Sequence, residues 1–96
     1  KINKFKKYLD YLISNGIEIE VLIIPLHPLA YEIINNRNND FFISENILKK
    51  EFRFKKNVKI IGSFNPNNTG CVSKDFIDPH HSKLSCIKKL YAPEQY

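Results

Sequence analysis

The chain contains neither methionine nor tryptophan, and glycine occurs only three times in 96 residues. Because no initiator methionine is present, we expect that the natural protein is longer than this chain or has been processed. The longest apolar run, residues 21–25, is too short to cross a bilayer, and no signal-peptide pattern is visible. Hydrophobic residues at 43% exclude a disordered chain, and the length indicates one small domain or part of a larger one.

Acidic residues are outnumbered by basic ones, which gives a net charge of +5 and a pI near 9.3. Such a balance permits contact with nucleic acid, acidic polysaccharide or an anionic membrane surface. The lysine clusters at residues 1–7, 49–59 and 83–89 fall on polar faces of predicted helices, which favours a solvated surface. No nucleic-acid-binding motif is present, so we expect no nucleic-acid partner.

Cysteine occurs only twice, at Cys71 and Cys86. If the two are paired, they close a loop of about 15 residues, which stabilises the fold by roughly 3 kcal/mol in the chain-entropy model. Pairing implies an oxidising, extracytoplasmic or cell-envelope location, whereas two reduced thiols would fit the cytoplasm. The spacing matches no strong zinc pattern.

Hydrophobic spacing predicts an order of helix, strand, helix, helix, strand, loop and helix. The first helix ends at Asn15-Gly16, and the strand over residues 17–24 has the apolar run of a strand that is buried on both faces. The later elements are a helix from Pro28, a loop over residues 35–39, a helix capped by Asp40, a strand over residues 58–61 that Gly62 stops, a loop over residues 63–74, and a helix capped by Ser82 and ended by Pro93.

This order indicates an α/β domain with parallel strands that spans residues 1–96. Two strands are too few for a stable sheet, so we expect missing upstream sequence or a partner chain to complete it. Ligands of such sheets bind beyond the carboxyl ends of the strands. That rule places His27, which follows the first strand, on the same edge as the loop that ends at His81.

Residues 75–81 concentrate the titratable chemistry of the chain, with two carboxylates and two imidazoles in seven residues. The Asp-x-x-His spacing of Asp78 and His81 lets a carboxylate hold one imidazole nitrogen while the other acts as a base. One alternative is a polar loop with solvated histidines. Another is a metal site made of Asp75, Asp78, His80 and His81, with a cysteine thiolate as a further ligand. Adjacent histidines disfavour it because they point apart, so we expect no metal or other cofactor.

Two stretches resemble the C-terminal part of an SGNH (GDSL-like) hydrolase of the type associated with bacterial cell-surface polysaccharide. They are Ile-Ile-Gly-Ser-Phe-Asn-Pro at residues 60–66 with the later block at residues 75–81, and Pro-Leu-His-Pro at residues 25–28. The resemblance implies a three-layer α/β/α, flavodoxin-like fold of SGNH type, of which this chain holds only part. It also implies a carbohydrate esterase or O-acyltransferase that acts on a carbohydrate ester.

Carried over to this sequence, Asp78 would orient the imidazole and His81 would be the general base of a Ser-His-Asp triad. His27 and His80 become candidates for substrate contact. The usual proline after the histidine is replaced by Ser82, and the Gly-Asp-Ser and Gly-x-Asn-Asp blocks are absent. The chain should therefore be inactive alone. The alternative is a non-catalytic basic module that binds acidic polysaccharide or nucleic acid.

Overall fold

A computed structural model describes residues 2–92 of the chain. Helices and short strands alternate along these residues, in the order α1 (Ile2–Ser14), β1 (Ile19–Ile23), α2 (Pro28–Arg37), α3 (Asp40–Phe52), β2 (Val58–Gly62), β3 (Phe76–Asp78), β4 (His81–Ser82) and α4 (Leu84–Tyr91). Short 3-10 turns at Pro66–Asn68 and Ser73–Asp75 interrupt the predicted loop between β2 and β3. The predicted helix end at Pro93 lies outside the described residues.

The strands β1 and β2 form a small parallel sheet, which confirms the α/β class at this coarse level. The register runs from Ile19 opposite Val58 to Ile23 opposite Gly62. Gly62 has a φ of +91°, and a Cβ added there would lie 2.1 Å from the carbonyl oxygen of Ile23. Only glycine therefore lets the two strands stay this close at their carboxyl ends.

Side chains from the helices cover both faces of this sheet. On one face, α1 and α3 form a buried cluster with the strands, made of Leu9, Ile23, Leu48, Phe52 and Val58. On the other face, β2, the segment before β3, β3 itself and α4 form a second cluster, made of Ile61, Cys71, Phe76, Cys86 and Leu90. The second cluster supports the segment that contains the candidate site.

The strand β1 is shorter and less buried than the sequence predicts. Its predicted span of residues 17–24 shrinks to Ile19–Ile23, with Ile17 and Ile24 exposed. Glu20, in the middle of the strand, is also exposed. The prediction of burial on both faces is therefore confirmed only in part: Val21 and Leu22 pack against the two core clusters on opposite faces, but each stays partly exposed.

Both predicted caps of the later helices are wrong. Asp40 is already the first residue of α3, and its backbone N–H donates to the side-chain oxygen of Asn38 at 3.2 Å. Ser82 lies in β4 instead of at the helix start. The backbone N–H of Lys83 donates to the carbonyl oxygen of Asp75 at 2.7 Å, which extends the strand pairing and delays the start of α4.

The predicted loop over residues 35–39 begins later than expected. Residues 35–37 complete α2, because the N–H of Asn38 donates to the carbonyl oxygen of Ile34 at 3.0 Å. The apolar face of α2 is not buried: Leu29 is 59% and Ile33 is 48% exposed. Within residues 2–92, α2 has no buried residue, so this face remains open to a ligand or to further protein.

The segment from Phe76 to Ser82 is a hairpin, where the sequence indicates only a loop. The strands β3 and β4 pair antiparallel, with Phe76 opposite Ser82 and Asp78 opposite His81. Pro79 and His80 form the turn between them. Strands of three and two residues are too short to show the alternation that predicts a strand.

Among the described helices, none is both long and apolar enough for a membrane span.

Candidate active site

The hairpin joins the carboxylate of Asp78 to the ring of His81. Nδ1 of His81 lies 2.8 Å from both carboxylate oxygens of Asp78. The same carboxylate accepts the backbone N–H groups of His80 at 2.9 Å and His81 at 3.0 Å. The side chains of His81 and Asp78 are 71% and 46% exposed, so the pair is presented to solvent. The tight turn therefore fixes the imidazole without burying it.

Hydrogen bonds to its charged form keep Asp78 ionised. The backbone N–H of His80, followed by the ring of His81, lowers the pKa of Asp78 below its ordinary value. An ionised carboxylate only accepts hydrogen bonds, so Nδ1 of His81 carries the proton that it donates. In neutral His81 the lone pair is then on Nε2, which is the arrangement of a general base.

His27 lies beside this hairpin and also caps a helix. Its Nδ1 accepts the backbone N–H of Leu29 at 3.1 Å, at the first turn of α2. Its own backbone N–H donates to the carbonyl oxygen of Pro79 at 3.2 Å, and its ring meets that of Phe76 edge to face at 5.5 Å. The cap leaves Nε2–H as the donor of the neutral ring, and the hairpin contact puts His27 on the edge that the strand-end rule predicts.

A mainly apolar groove of about 350 Å³ runs between α2 and the hairpin. Asp78 and His27 line it together with Ser73 and a set of apolar residues, namely Leu29, Ala30, Ile33, Phe76, Ile77 and Pro79. His80 is exposed at the turn and is not part of this lining. Of the two histidine candidates for substrate contact, the structure therefore brings His27 to the groove.

Asp75 accepts more long-range hydrogen bonds than Asp78 does, although from the sequence it is named only as a ligand of the alternative metal site. It is 3% exposed, and its oxygens accept the backbone N–H of Val72 at 2.8 Å, Lys89 Nζ at 2.7 Å and Ser85 Oγ at 2.7 Å. Lys89 foremost, with Val72 and Ser85, holds the pKa of Asp75 well below its usual range. The sequence offers no local signal for this burial, because the partners Ser85 and Lys89 follow ten and fourteen residues later.

The disulfide ties the same region together. Sγ of Cys71 and Sγ of Cys86 are bonded at 2.11 Å, and the Cα atoms are 5.3 Å apart. Both residues are buried in the second core cluster, at 4% and 0% exposed. The bond therefore joins the segment before the hairpin to α4, on either side of the candidate site.

Glu45 is a second buried carboxylate that sequence reasoning does not identify. Both of its oxygens accept the hydroxyl of Ser63, at 2.9 and 2.8 Å, and one accepts the backbone N–H of Phe64 at 2.7 Å. Ser63 is 1% exposed and fully engaged there, so it does not serve as the missing nucleophile. The signal for Glu45 is its spacing from Leu48 and Phe52 on the buried face of α3.

The metal alternative finds little support in the side-chain contacts. Among residues 2–92, no three His, Cys, Asp or Glu side chains come together in a way that could hold a metal ion. Asp75 already pairs with Lys89, and Cys71 is in the disulfide.

No family model, curated protein or solved structure matches this chain. The SGNH resemblance therefore depends on the sequence motifs alone and stays a prediction. What the structure adds is the local geometry of the Asp78–His81 pair and the apolar groove between α2 and the hairpin.

Proposed function

We propose that Asp78 and His81 are the acid–base part of an SGNH-type carbohydrate esterase or O-acyltransferase, whose serine nucleophile is supplied from outside this chain. The observation that carries this proposal is the 2.8 Å contact from Nδ1 of His81 to an ionised Asp78. It leaves Nε2 of an exposed ring as the basic nitrogen. This chain would then be the C-terminal portion of a larger three-layer α/β/α domain.

In this reaction His81 Nε2 accepts the proton of the serine hydroxyl as the serine oxygen attacks the ester carbonyl. The imidazolium that forms is stabilised by the negative charge of Asp78. Nε2 then returns the proton to the sugar oxygen as the bond between the acyl carbon and that oxygen breaks. A water, or an acceptor hydroxyl in a transferase, takes the acyl group from the serine in the second half.

The groove beside the pair supports an ester substrate. Its apolar lining offers a surface for the acyl group, next to the carboxylate that holds His81. Nε2–H of His27 is a donor suited to a polar atom of the substrate, because Nδ1 is already engaged by Leu29. His80, one residue from the base, would contact the substrate only from the turn.

The disulfide supports an extracytoplasmic or cell-envelope location for this activity. Disulfides persist in oxidising compartments and are rare in the cytoplasm, where thiols are kept reduced. The Cys71–Cys86 bond is buried within the second core cluster. Cell-surface polysaccharide would be accessible to the enzyme in the same compartment.

The test uses the longer protein that includes the sequence encoded upstream of this chain, assayed on p-nitrophenyl acetate and on acetylated polysaccharide. His81→Ala should lower kcat by about 100- to 10,000-fold, the usual effect of removing a general base. Asn46→Ala is the control, since Asn46 is exposed on α3 and lies outside the groove of the candidate site, and it should leave kcat nearly unchanged. Equal losses in both variants, or full activity in His81→Ala, would overturn the assignment.

A second candidate function is the non-catalytic binding of acidic polysaccharide. The observation that favours it is a groove of about 560 Å³ between α3 and β2, lined by Lys49, Arg53, Lys56 and Lys59 among others. Lys49 also pairs with Glu45, which reduces the free positive charge. Binding of dextran sulfate that weakened steeply with added salt would support this candidate, because salt screens exposed charges.

A further inference from the structure

A second, polar groove joins the apolar groove of the candidate site. It has a volume of about 490 Å³ and lies between α2 and the turn at Pro66–Asn68. Leu29 and Ser73 line both grooves, so the two meet at these residues. A ligand that extended along α2 would therefore reach from the polar groove to the wall that contains Asp78.

The polar groove is rich in unengaged side-chain amides. Asn35, Asn36 and Asn67 line it, and within residues 2–92 their amide groups have no hydrogen-bond partner. Asn65 uses its side-chain oxygen to accept the backbone N–H of Asn67 at 3.0 Å, which leaves its NH₂ group as a donor. Each amide offers a donor and an acceptor side by side, which matches pairs of neighbouring sugar hydroxyls.

Tyr31 and Glu32 complete the polar character of the groove. Burial, together with the charge of Glu45, raises the pKa of Tyr31, so its hydroxyl remains a neutral donor and acceptor. Among the described residues that line the groove, Glu32 is the one charged residue, is exposed, and is accompanied by no lysine or arginine. An anionic polymer would meet only repulsion from Glu32 here, whereas an uncharged ligand meets none.

We infer that this amide groove binds an uncharged oligosaccharide and holds it beside Asp78, the carboxylate that orients His81. The inference rests on the proposed function only for the reaction that follows, since binding in the groove needs neither the base nor a nucleophile. It narrows the substrate from a carbohydrate ester in general to one whose neighbouring sugar units are neutral. The basic groove along β2 is then not the substrate site.

The test is binding of two uncharged probes, cellotetraose and tetra-N-acetylchitotetraose, to this chain, followed by NMR of the ¹⁵N-labelled protein. Shifts are expected in the side-chain amide signals of Asn35, Asn36 and Asn67. The double change Asn35→Ala with Asn36→Ala should weaken binding about tenfold, since it removes two sets of hydrogen bonds. Asn46→Ala is the matched control, because Asn46 is an exposed asparagine on α3 outside the groove.

A second variant separates this inference from the proposed function. His81→Ala should bind the two oligosaccharides as the unchanged chain does, whatever its effect on hydrolysis in the longer protein. Binding that survives His81→Ala and is lost in the asparagine variant supports the inference even if no ester is hydrolysed. No shifts at millimolar oligosaccharide, shifts confined to the basic groove, or equal weakening by Asn46→Ala would each overturn it.

Discussion

Asp75 and Asp78 are three residues apart, yet the structure gives them opposite environments. Asp75 is 3% exposed and belongs to what we term the anchor cluster, defined as Cys71, Asp75, Ser85, Cys86 and Lys89. Asp78 has a side chain that is 46% exposed and belongs to the hairpin tip, defined as residues 78–81. Both carboxylates are ionised, but one holds the fold together and the other orients a ring.

The difference lies in what each carboxylate is bonded to. Asp75 joins residues that are distant in the chain, accepting from Ser85 and Lys89 of α4 as well as from nearby Val72. Among residues 2–92, Asp78 bonds only to His80 and His81, within its own turn. Long-range contacts of a buried charge stabilise tertiary structure, whereas local contacts of an exposed one mainly fix a conformation. The anchor cluster therefore stabilises the fold next to the hairpin tip, whereas only the tip holds an oriented imidazole.

The largest effect is expected from removing the disulfide of the anchor cluster. Replacing Cys71 and Cys86 together by alanine should lower the free energy of unfolding by roughly 3 kcal/mol, because the unfolded chain regains the entropy of an open loop of about 15 residues. Urea denaturation measures the loss, and reduction of the unchanged chain is the control. The His81 ring signals should stay as they are in the folded variant; if they shifted, the tip would depend on the anchor.

The second-largest effect is expected on the thermal unfolding midpoint, when each of the two carboxylates is replaced by asparagine in turn. Asp75→Asn should lower the thermal unfolding midpoint by on the order of 10 °C, because it removes the charge that pairs with Lys89 at 2.7 Å. Asp78→Asn is the matched variant and should lower it by no more than about 3 °C, since its pair is exposed. Differential scanning calorimetry measures both. Similar shifts in the two variants would contradict the separation of anchor and tip.

The sequence predicts the outline of this fold because its strongest signals are local. The amphipathic spacing in α1, the apolar run of β1 and the glycine at the end of β2 are each visible within a dozen residues. The pairing geometry of Asp78 and His81 is also local, since the spacing of three residues places both in one turn. Elements of this kind require no knowledge of the rest of the chain.

The features that the sequence does not predict depend on distant contacts. Ser82 resembles a helix cap until Lys83 is seen to bond to Asp75 across the hairpin. Helical spacing places Glu45 on the buried face of α3, but its partner there, Ser63, lies 18 residues later in the chain. Spacing can place a carboxylate on a buried face, but the groups that compensate its charge become known only from the folded structure.

The smallest expected effect is a difference in the pH at which Asp75 and Asp78 take up their protons. It compares the two carboxylates directly. Both pKa values are lowered in the folded chain, so each carboxylate stabilises the fold above its unfolded pKa of about 3.9, and that stability is lost as the pH falls through the folded value. Asp78 should protonate first, because Asp75 also has the ammonium of Lys89 beside it.

Carbon-detected NMR of the side-chain carboxyls, followed from neutral to acidic pH, measures this order directly. As Asp78 takes up its proton, the His81 ring signals should change while the core methyl signals stay constant, because only the tip loses its hydrogen bonds. The core signals should change later, as Asp75 is protonated and Lys89 loses its partner. If the two carboxyls titrated together with the core, the exposed pair would be part of the structural anchor, and the proposal of a free imidazole base at His81 would lose its physical basis.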